Sequence, residues 1–107
     1  MRRHRLPRRF EGLRDKIVPA LLPYGVRRVA VFGSTVRGES GPGSDLDILV
    51  DLKPPDERAP IGLKWFALER ELSRLVGRKV DLVTEGDLSP YIRPHAEKEM
   101  VILYEEG

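Results

Sequence analysis

Three short runs rich in β-branched and apolar residues constrain the fold of this chain more than any other feature. They cover residues 28–32, 45–52 and 79–84 and are bounded by glycine, proline or polar residues, which predicts three strands. Apolar residues recur at helical spacing over residues 8–22 and 61–75, which predicts two amphipathic helices around these strands. Strands that alternate with helices predict an α/β or α+β domain, in which helices flank a small mixed sheet.

The remaining segments predict shorter elements. Pro19 should kink or shorten the first helix, and Gly77 should end the second. A short helix is expected after Gly33, a loop over residues 53–56, and a further short helix that Pro94 interrupts or opens. Periodicity does not decide whether residues 100–104 form a last strand or the end of that helix.

Length and charge predict one domain with a basic arm. A chain of 107 residues can build one core, so we divide it into an arm, residues 1–9, and a single domain, residues 10–107. The net charge is only +2, but the arm carries five arginines: Arg2, Arg3, Arg5, Arg8 and Arg9. Such an arm can hold nucleic acid or an acidic partner. Because no aromatic residues are interleaved, we favour a solvated terminus.

Composition excludes several classes of protein. The chain contains no cysteine, which excludes disulfides and thiolate metal sites and fits a cytoplasmic location. No apolar run approaches the roughly 20 residues of a membrane helix, and no secretory signal follows the basic start. We therefore expect a cytoplasmic protein without a membrane partner.

Asp45, Asp47 and Asp81 are the first candidate functional residues. Asp45 and Asp47 are two positions apart on a predicted strand, so their side chains face the same side. Asp81 lies on another predicted strand, and the sheet could bring all three carboxylates to one face. Clustered carboxylates repel one another unless a cation or proton neutralises them, and Mg²⁺ commonly binds such oxygen ligands together with substrate phosphates. Asp51 shares this face and is interpreted as a strand-end charge or an outer carboxylate.

Gly33 and Ser34 are the second candidate feature. Glycine at a strand end lets the backbone approach a ligand closely, and a helix start after it would point amide N–H groups at a phosphate. The Ser34 hydroxyl and the Arg37 guanidinium could add contacts.

Each feature alone has an ordinary explanation, either the wet face of a strand or a serine-capped turn. We interpret the combination of a Gly-Ser turn, an Asp-x-Asp strand and a distal aspartate as a functional site.

These residues resemble the signature of the DNA polymerase β-like nucleotidyltransferase superfamily, in its minimal nucleotidyltransferase branch. The matching segments are Gly33-Ser34-Thr35-Val36-Arg37-Gly38 and Ser44-Asp45-Leu46-Asp47. Two further segments, Tyr24–Val29 and Val101–Glu105, also fit that branch, whereas the basic arm does not.

The resemblance implies roles for individual residues. Asp45, Asp47 and Asp81 would ligate metal, and Asp81 could also accept the acceptor's proton. Gly33 and Ser34 would hold the triphosphate of ATP, with Arg37 and Ser44 in supporting roles. Two Mg²⁺ ions are expected, and Mn²⁺ can replace them because both accept oxygen ligands.

The resemblance also implies a partner, because small members of this branch are often the antitoxin of a HEPN-domain toxin and add AMP to a tyrosine of it. The helix that contains Trp65 is one candidate partner face, although core packing is preferred for at least one of Trp65 and Phe66. Two alternatives stay open: an antitoxin that acts by occlusion alone, and a small nucleic-acid-binding protein that uses the arginine arm.

Overall fold

A computed structural model of the chain describes residues 6–33, 36, 45–57, 62 and 64–106. The helices and strands, in chain order, are α1 (Glu11–Leu21), β1 (Val26–Phe32), β2 (Leu46–Leu52), α2 (Lys64–Val76), β3 (Val80–Thr84), α3 (Arg93–Glu99) and β4 (Val101–Glu105). Short 3-10 turns cover Arg8–Phe10, Leu22–Tyr24, Pro55–Glu57 and Glu85–Asp87. This alternation of helices with a mixed sheet confirms the predicted α/β fold class.

The four strands form one sheet in the order β3-β2-β1-β4. β1 is antiparallel to both of its neighbours, whereas β2 and β3 are parallel. β2, β3 and β4 therefore all run in the same direction, and only β1 runs against them. As a result the end of β1 and the beginnings of β2 and β3 lie at the same end of the sheet.

One face of the sheet carries the core. Alternate residues of the strands point to this face, and helices α1 and α2 cover it with fully buried side chains such as Ile17, Leu21, Leu68 and Leu72. The strand residues that join this cluster are Val26, Val29, Val31, Leu46, Ile48, Val50, Val80, Leu82 and Leu103. Trp65 packs partly buried against the cluster, whereas Phe66 is 68% exposed, so the preference for core packing holds for Trp65.

The middle of the opposite face of the sheet is also buried. Ala30 and Leu49 are register partners that are buried but lie outside the core cluster. From β2 the chain crosses to the neighbouring strand β3 through α2, which lies over the core face. From β3, at one edge of the sheet, it then crosses back to β4 at the other edge. Because crossovers between parallel strands are right-handed, a return in the reverse direction places α3 over the other face. α3 buries one residue, Ala96.

Side chains of α2 protect the outer edge of β3. The Val80 N–H donates to Ser73 Oγ and the Leu82 N–H donates to Glu69 Oε2, each at 2.8 Å. Glu69 and Ser73 are four residues apart, so they lie one turn apart on the same side of the helix. They satisfy backbone donors that an edge strand would otherwise present to another chain. Asp81 lies between the two protected residues and is held in place with them.

The structure resolves or changes four details predicted from the sequence. α1 continues through Pro19 and ends at Leu21, and a 3-10 turn follows it. The segment predicted as a loop over residues 53–56 begins a 3-10 turn at Pro55, whose fixed φ suits a helical start. Pro94 lies in the first turn of α3 and so opens it. Residues from Val101 onward form a strand rather than a helix end.

Two further expectations have different outcomes. Gly77 ends α2 with a φ of 71°, and its N–H donates to the Ser73 carbonyl at 3.0 Å, as the sequence predicted. The short helix expected after Gly33 falls mostly outside the described residues. None of the helices in the described part of the chain has the length and apolar character needed to cross a membrane.

Candidate active site

The candidate site lies where β1 ends and β2 and β3 begin. Phe32, the last residue of β1, is the register partner of Asp47 on β2, and Asp47 is in turn the partner of Asp81 on β3. Paired residues of neighbouring strands point to the same face, so the Asp47 and Asp81 side chains lie side by side on adjacent strands. They point away from the core face, because Leu46, Ile48, Val80 and Leu82 are buried in it.

Backbone contacts hold Asp45 just before the first residue of β2. The Leu46 N–H donates to the Lys79 carbonyl at 2.8 Å, and the Arg78 guanidinium donates to the Asp45 carbonyl at 3.3 Å. Asp45 is two positions from Asp47 along an extended chain, so its side chain points to the face that Asp47 and Asp81 share. The register therefore brings Asp47 and Asp81 together on one side of the sheet, and the convergence of all three carboxylates stays a prediction.

The three carboxylates share a face without forming a closed cluster. Within the part of the chain that the structure describes, no group of three or more His, Cys, Asp or Glu side chains is close enough to hold a metal ion. Asp45 and Asp81 are exposed and Asp47 is half-buried. Like charges on one face repel one another, which favours side chains that spread apart. The metal-ligand role of Asp45, Asp47 and Asp81 stays a prediction.

Gly33 brings the backbone up against the Asp47 carboxylate. Its φ is +82°, in the left-handed region that side chains disfavour, and a Cβ built on it would lie 2.6 Å from Asp47 Oδ2. The position therefore needs glycine for two independent reasons, its conformation and the proximity of the carboxylate. The turn that follows β1 is thus packed directly against Asp47 on β2.

Three predicted nucleotide-binding residues, Ser34, Arg37 and Ser44, lie outside the described residues. Val36, between Ser34 and Arg37 in sequence, is described, and its N–H donates to the Gly33 carbonyl at 3.1 Å. This hydrogen bond closes the turn that the sequence predicted after the first strand. Gly33 lies at the turn after β1 as expected, but its role in holding the triphosphate stays a prediction, as do the roles of the other three residues.

Two arginines contact this region without any signal in the sequence pattern. Arg78 holds the carbonyl of Asp45, and the Arg9 guanidinium donates to the Val36 carbonyl at 2.9 Å. The partners in these two contacts are 33 and 27 residues apart along the chain. Periodicity predicts neither contact, because each depends on how separate elements pack together.

A second group of charged residues lies at the far end of the sheet and is tied together by ion pairs. A register shift between Val26 and Arg28 brings Arg27 and Arg28 close to Asp51. Arg27 binds Asp51 at 3.0 Å, which supports the interpretation of Asp51 as a strand-end charge. Lys53 binds Glu106 at 3.0 Å, and this hydrogen bond raises the pKa of the Lys53 ammonium.

Arg28 forms the most buried contact of this far group. Its guanidinium donates to both oxygens of Glu85, at 2.6 Å and 3.2 Å, and it also approaches Glu105 at 3.9 Å. The hydrogen bond to Glu85 is the main reason why the pKa of Arg28 lies above its usual value. The backbone carbonyl of Glu85 accepts a hydrogen bond from Arg93 at 2.7 Å, which joins the pair to the start of α3.

Comparison with known proteins places this site in a family. Residues 14–103 match the model of the nucleotidyltransferase domain. A protein of Thermococcus cleftensis called protein adenylyltransferase MntA is 45% identical over 78 residues, which cover 73% of this chain and 75% of the relative.

Two solved structures are also similar. A minimal nucleotidyltransferase shares 33% identity with a TM-score of 0.71, over 92% of this chain and 96% of the other. A complex of a tri-AMPylated Shewanella oneidensis HEPN toxin with its MNT antitoxin, 19% identical, matches in fold with a TM-score of 0.66 over 89% of this chain and 72% of the other. The chain, with its Gly33 turn and its Asp-x-Asp strand, belongs to the nucleotidyltransferase family.

Proposed function

We propose that this nucleotidyltransferase moves AMP from ATP to a hydroxyl group of a protein partner, with Mg²⁺ bound at the three aspartates. The observation that carries the proposal is the register of Asp47 with Asp81, beside a glycine turn packed against Asp47. Together these features provide acidic ligands on adjacent strands and a backbone surface that phosphate can approach.

The residues present suit a divalent cation by their donor chemistry. Asp45, Asp47 and Asp81 offer only carboxylate oxygens, which are the ligands that Mg²⁺ prefers. These three residues would hold the metal. When bound, the metal would neutralise charge on the phosphates and polarise the phosphorus under attack.

The chain's own residues then act by position. Gly33 lets the turn approach the Asp47 carboxylate, which any side chain there would meet, and so keeps the proposed phosphate-binding backbone beside a proposed metal ligand. The acceptor's hydroxyl oxygen attacks the α-phosphorus of ATP, the bond from that phosphorus to the bridging oxygen breaks, and pyrophosphate leaves. Asp81 is exposed at the beginning of its strand, and its carboxylate takes the proton of the attacking hydroxyl.

A partner protein is the acceptor that this chain suits best. The Shewanella complex pairs an MNT antitoxin with an AMPylated HEPN toxin, and the Thermococcus relative is called a protein adenylyltransferase. We therefore propose a tyrosine of a HEPN-type toxin as the acceptor and an antitoxin role for this chain.

The test is AMP transfer to a HEPN-type protein encoded beside this chain. With ATP and Mg²⁺, intact-mass measurement should show that the partner gains one or more AMP units. Asp45→Asn combined with Asp47→Asn should reduce the transfer rate more than about 100-fold, since the metal would lose two ligands. Asp51→Asn combined with Asp56→Asn is the matched control, because it removes the same charge away from the site and should change the rate less than about threefold.

The same variants separate enzyme action from occlusion. An antitoxin that acts by occlusion alone would still silence the toxin after Asp45 and Asp47 are replaced. An enzyme would lose that effect together with the mass increase. Full inhibition by the double variant would therefore contradict the proposed activity.

A further inference from the structure

The beginning of the described chain is fixed to the core. Phe10 is 2% exposed, and its N–H donates to the Pro7 carbonyl at 2.9 Å, which closes the 3-10 turn Arg8–Phe10. Leu6 and Leu13, on either side of this turn, pack partly buried against the core cluster. The turn is therefore a fixed platform, and it carries two of the arginines of the basic arm.

Arg9 is restrained by two contacts on this platform. Its guanidinium lies over the Phe10 ring, with Cζ 4.6 Å from the ring centroid, and it donates to the Val36 carbonyl at 2.9 Å. The stacking orients a planar group that would otherwise be free to rotate in solvent, so less entropy is lost when the hydrogen bond forms.

Val36 is consequently held on both sides of its backbone. Its N–H donates to the Gly33 carbonyl and its own carbonyl accepts from Arg9. Its side chain packs partly buried against the core. The segment that leaves Gly33 is thus connected to β1 through one hydrogen bond and to the N-terminal turn through another. A cation also lies beside the segment where phosphate is proposed to bind, which favours an anionic ligand there.

We propose that Arg9 is a positioning residue for nucleotide binding, which fixes the turn after Gly33 by holding the Val36 carbonyl. The proposal rests on the proposed function, because it assigns the triphosphate to that turn. Arg9 lies outside the segment that matches the nucleotidyltransferase domain, which begins at residue 14. The contact is therefore a feature of this chain that its family motif does not include.

The test compares Arg9→Ala with Arg8→Ala. Both variants remove one exposed positive charge from the same turn, but among the described contacts only Arg9 reaches Val36. Loss of one hydrogen bond from a charged donor should raise the KM for ATP about threefold to tenfold in Arg9→Ala and leave kcat within about twofold. Arg8→Ala should change neither, and Arg9→Lys, which keeps a charged donor, should recover part of the loss.

Hydrogen exchange without nucleotide supplies a second measurement. Arg9→Ala should accelerate amide exchange around Gly33 and Val36, whereas Arg8→Ala should not. Equal exchange in the two variants, or faster exchange with an unchanged KM, would overturn the positioning role. A wild-type chain in which Arg9 protects these amides but which transfers no AMP would contradict the proposed function, and would do so separately from the contact itself.

Discussion

Acidic side chains gather at both ends of the sheet, but the two ends treat their charge differently. At the far end each strand-end carboxylate has a cation: Asp51 has Arg27, Glu85 has Arg28 and Glu106 has Lys53. At the site end, Asp45 and Asp81 have no ion-pair partner among the residues that the structure describes. Both ends belong to the same small sheet, so the difference does not follow from the fold alone.

The comparison predicts which charge serves stability and which serves binding. Two carboxylates about 4 Å apart repel by roughly 4 kcal/mol at an effective dielectric of 20, and by less where water screens them. Sequences tolerate such local conflicts mainly at functional sites. Paired carboxylates at the far end should therefore matter for unfolding, and those at the site end should matter for activity.

The largest expected effect is on activity after Asp81→Asn. This change removes a predicted ligand and the proposed proton acceptor, so the rate of AMP transfer should fall more than about 100-fold. The free energy of unfolding should stay equal or rise slightly, because one repulsive charge is lost. Rate measurement and urea denaturation on the same protein test both parts.

Asp51→Asn should show the opposite behaviour. It breaks the exposed pair with Arg27, so stability should fall by up to about 1 kcal/mol while the rate of AMP transfer stays within about threefold. If Asp81→Asn destabilised the protein as much as Asp51→Asn and left the rate unchanged, the functional distinction between the two ends would be wrong.

A smaller loss of activity is expected from Gly33→Ala. A methyl group would lie 2.6 Å from Asp47 Oδ2 and must push that carboxylate aside, which should lower the transfer rate about 10-fold to 100-fold. Gly77→Ala is the matched control, because Gly77 has a similar φ of +71° with nothing within 4 Å of its added Cβ.

Both glycine variants should lose roughly 1–2 kcal/mol of stability from the left-handed conformation. Only Gly33→Ala should lose activity per folded molecule. A similar loss in Gly77→Ala would attribute the effect to general strain rather than to Asp47.

An effect on stability alone is expected from Glu85→Gln at the far end. The half-buried guanidinium of Arg28 would lose its charged acceptor, so the free energy of unfolding should fall by about 1–2 kcal/mol with unchanged activity. Glu97→Gln, an exposed change on α3, should stay within about 0.5 kcal/mol. Equal stability of the two variants in thermal unfolding would mean that the Arg28 pair contributes nothing measurable.

Much of the fold could be predicted from the sequence because its strands and helices carry strong local patterns. The β-branched run before Gly33 and the apolar spacing from Leu68 to Leu72 each specify an element without reference to the rest of the chain. The final strand could not be assigned, because five residues fit a helix end as well as a strand and only pairing with β1 decides between them.

The candidate site residues could be chosen from the sequence, but the register that places Asp47 beside Asp81 could not be predicted. The apolar Val80 and Leu82 fix the face to which Asp81 points, but a slip of two positions between β2 and β3 would keep that face and move Asp81 away from Asp47, and only the observed pairing excludes it. The Arg9 contact could not be predicted at all, since a single arginine in a basic run looks like its neighbours. Only the packing of the 3-10 turn distinguishes Arg9 from Arg8.

The hydrogen bonds from Val80 and Leu82 to α2 also limit how copies of this protein can associate. Because Ser73 and Glu69 bind the N–H groups of Val80 and Leu82, β4 is the sheet edge left for strand addition within the part of the chain that the structure describes. In a dimer joined through β4, the outer strand of each copy would be β3, whose Val80 and Leu82 N–H groups are already bonded to α2. Strand addition would therefore end at the dimer. The helix α2, which keeps Asp81 in place, therefore also limits strand addition between copies.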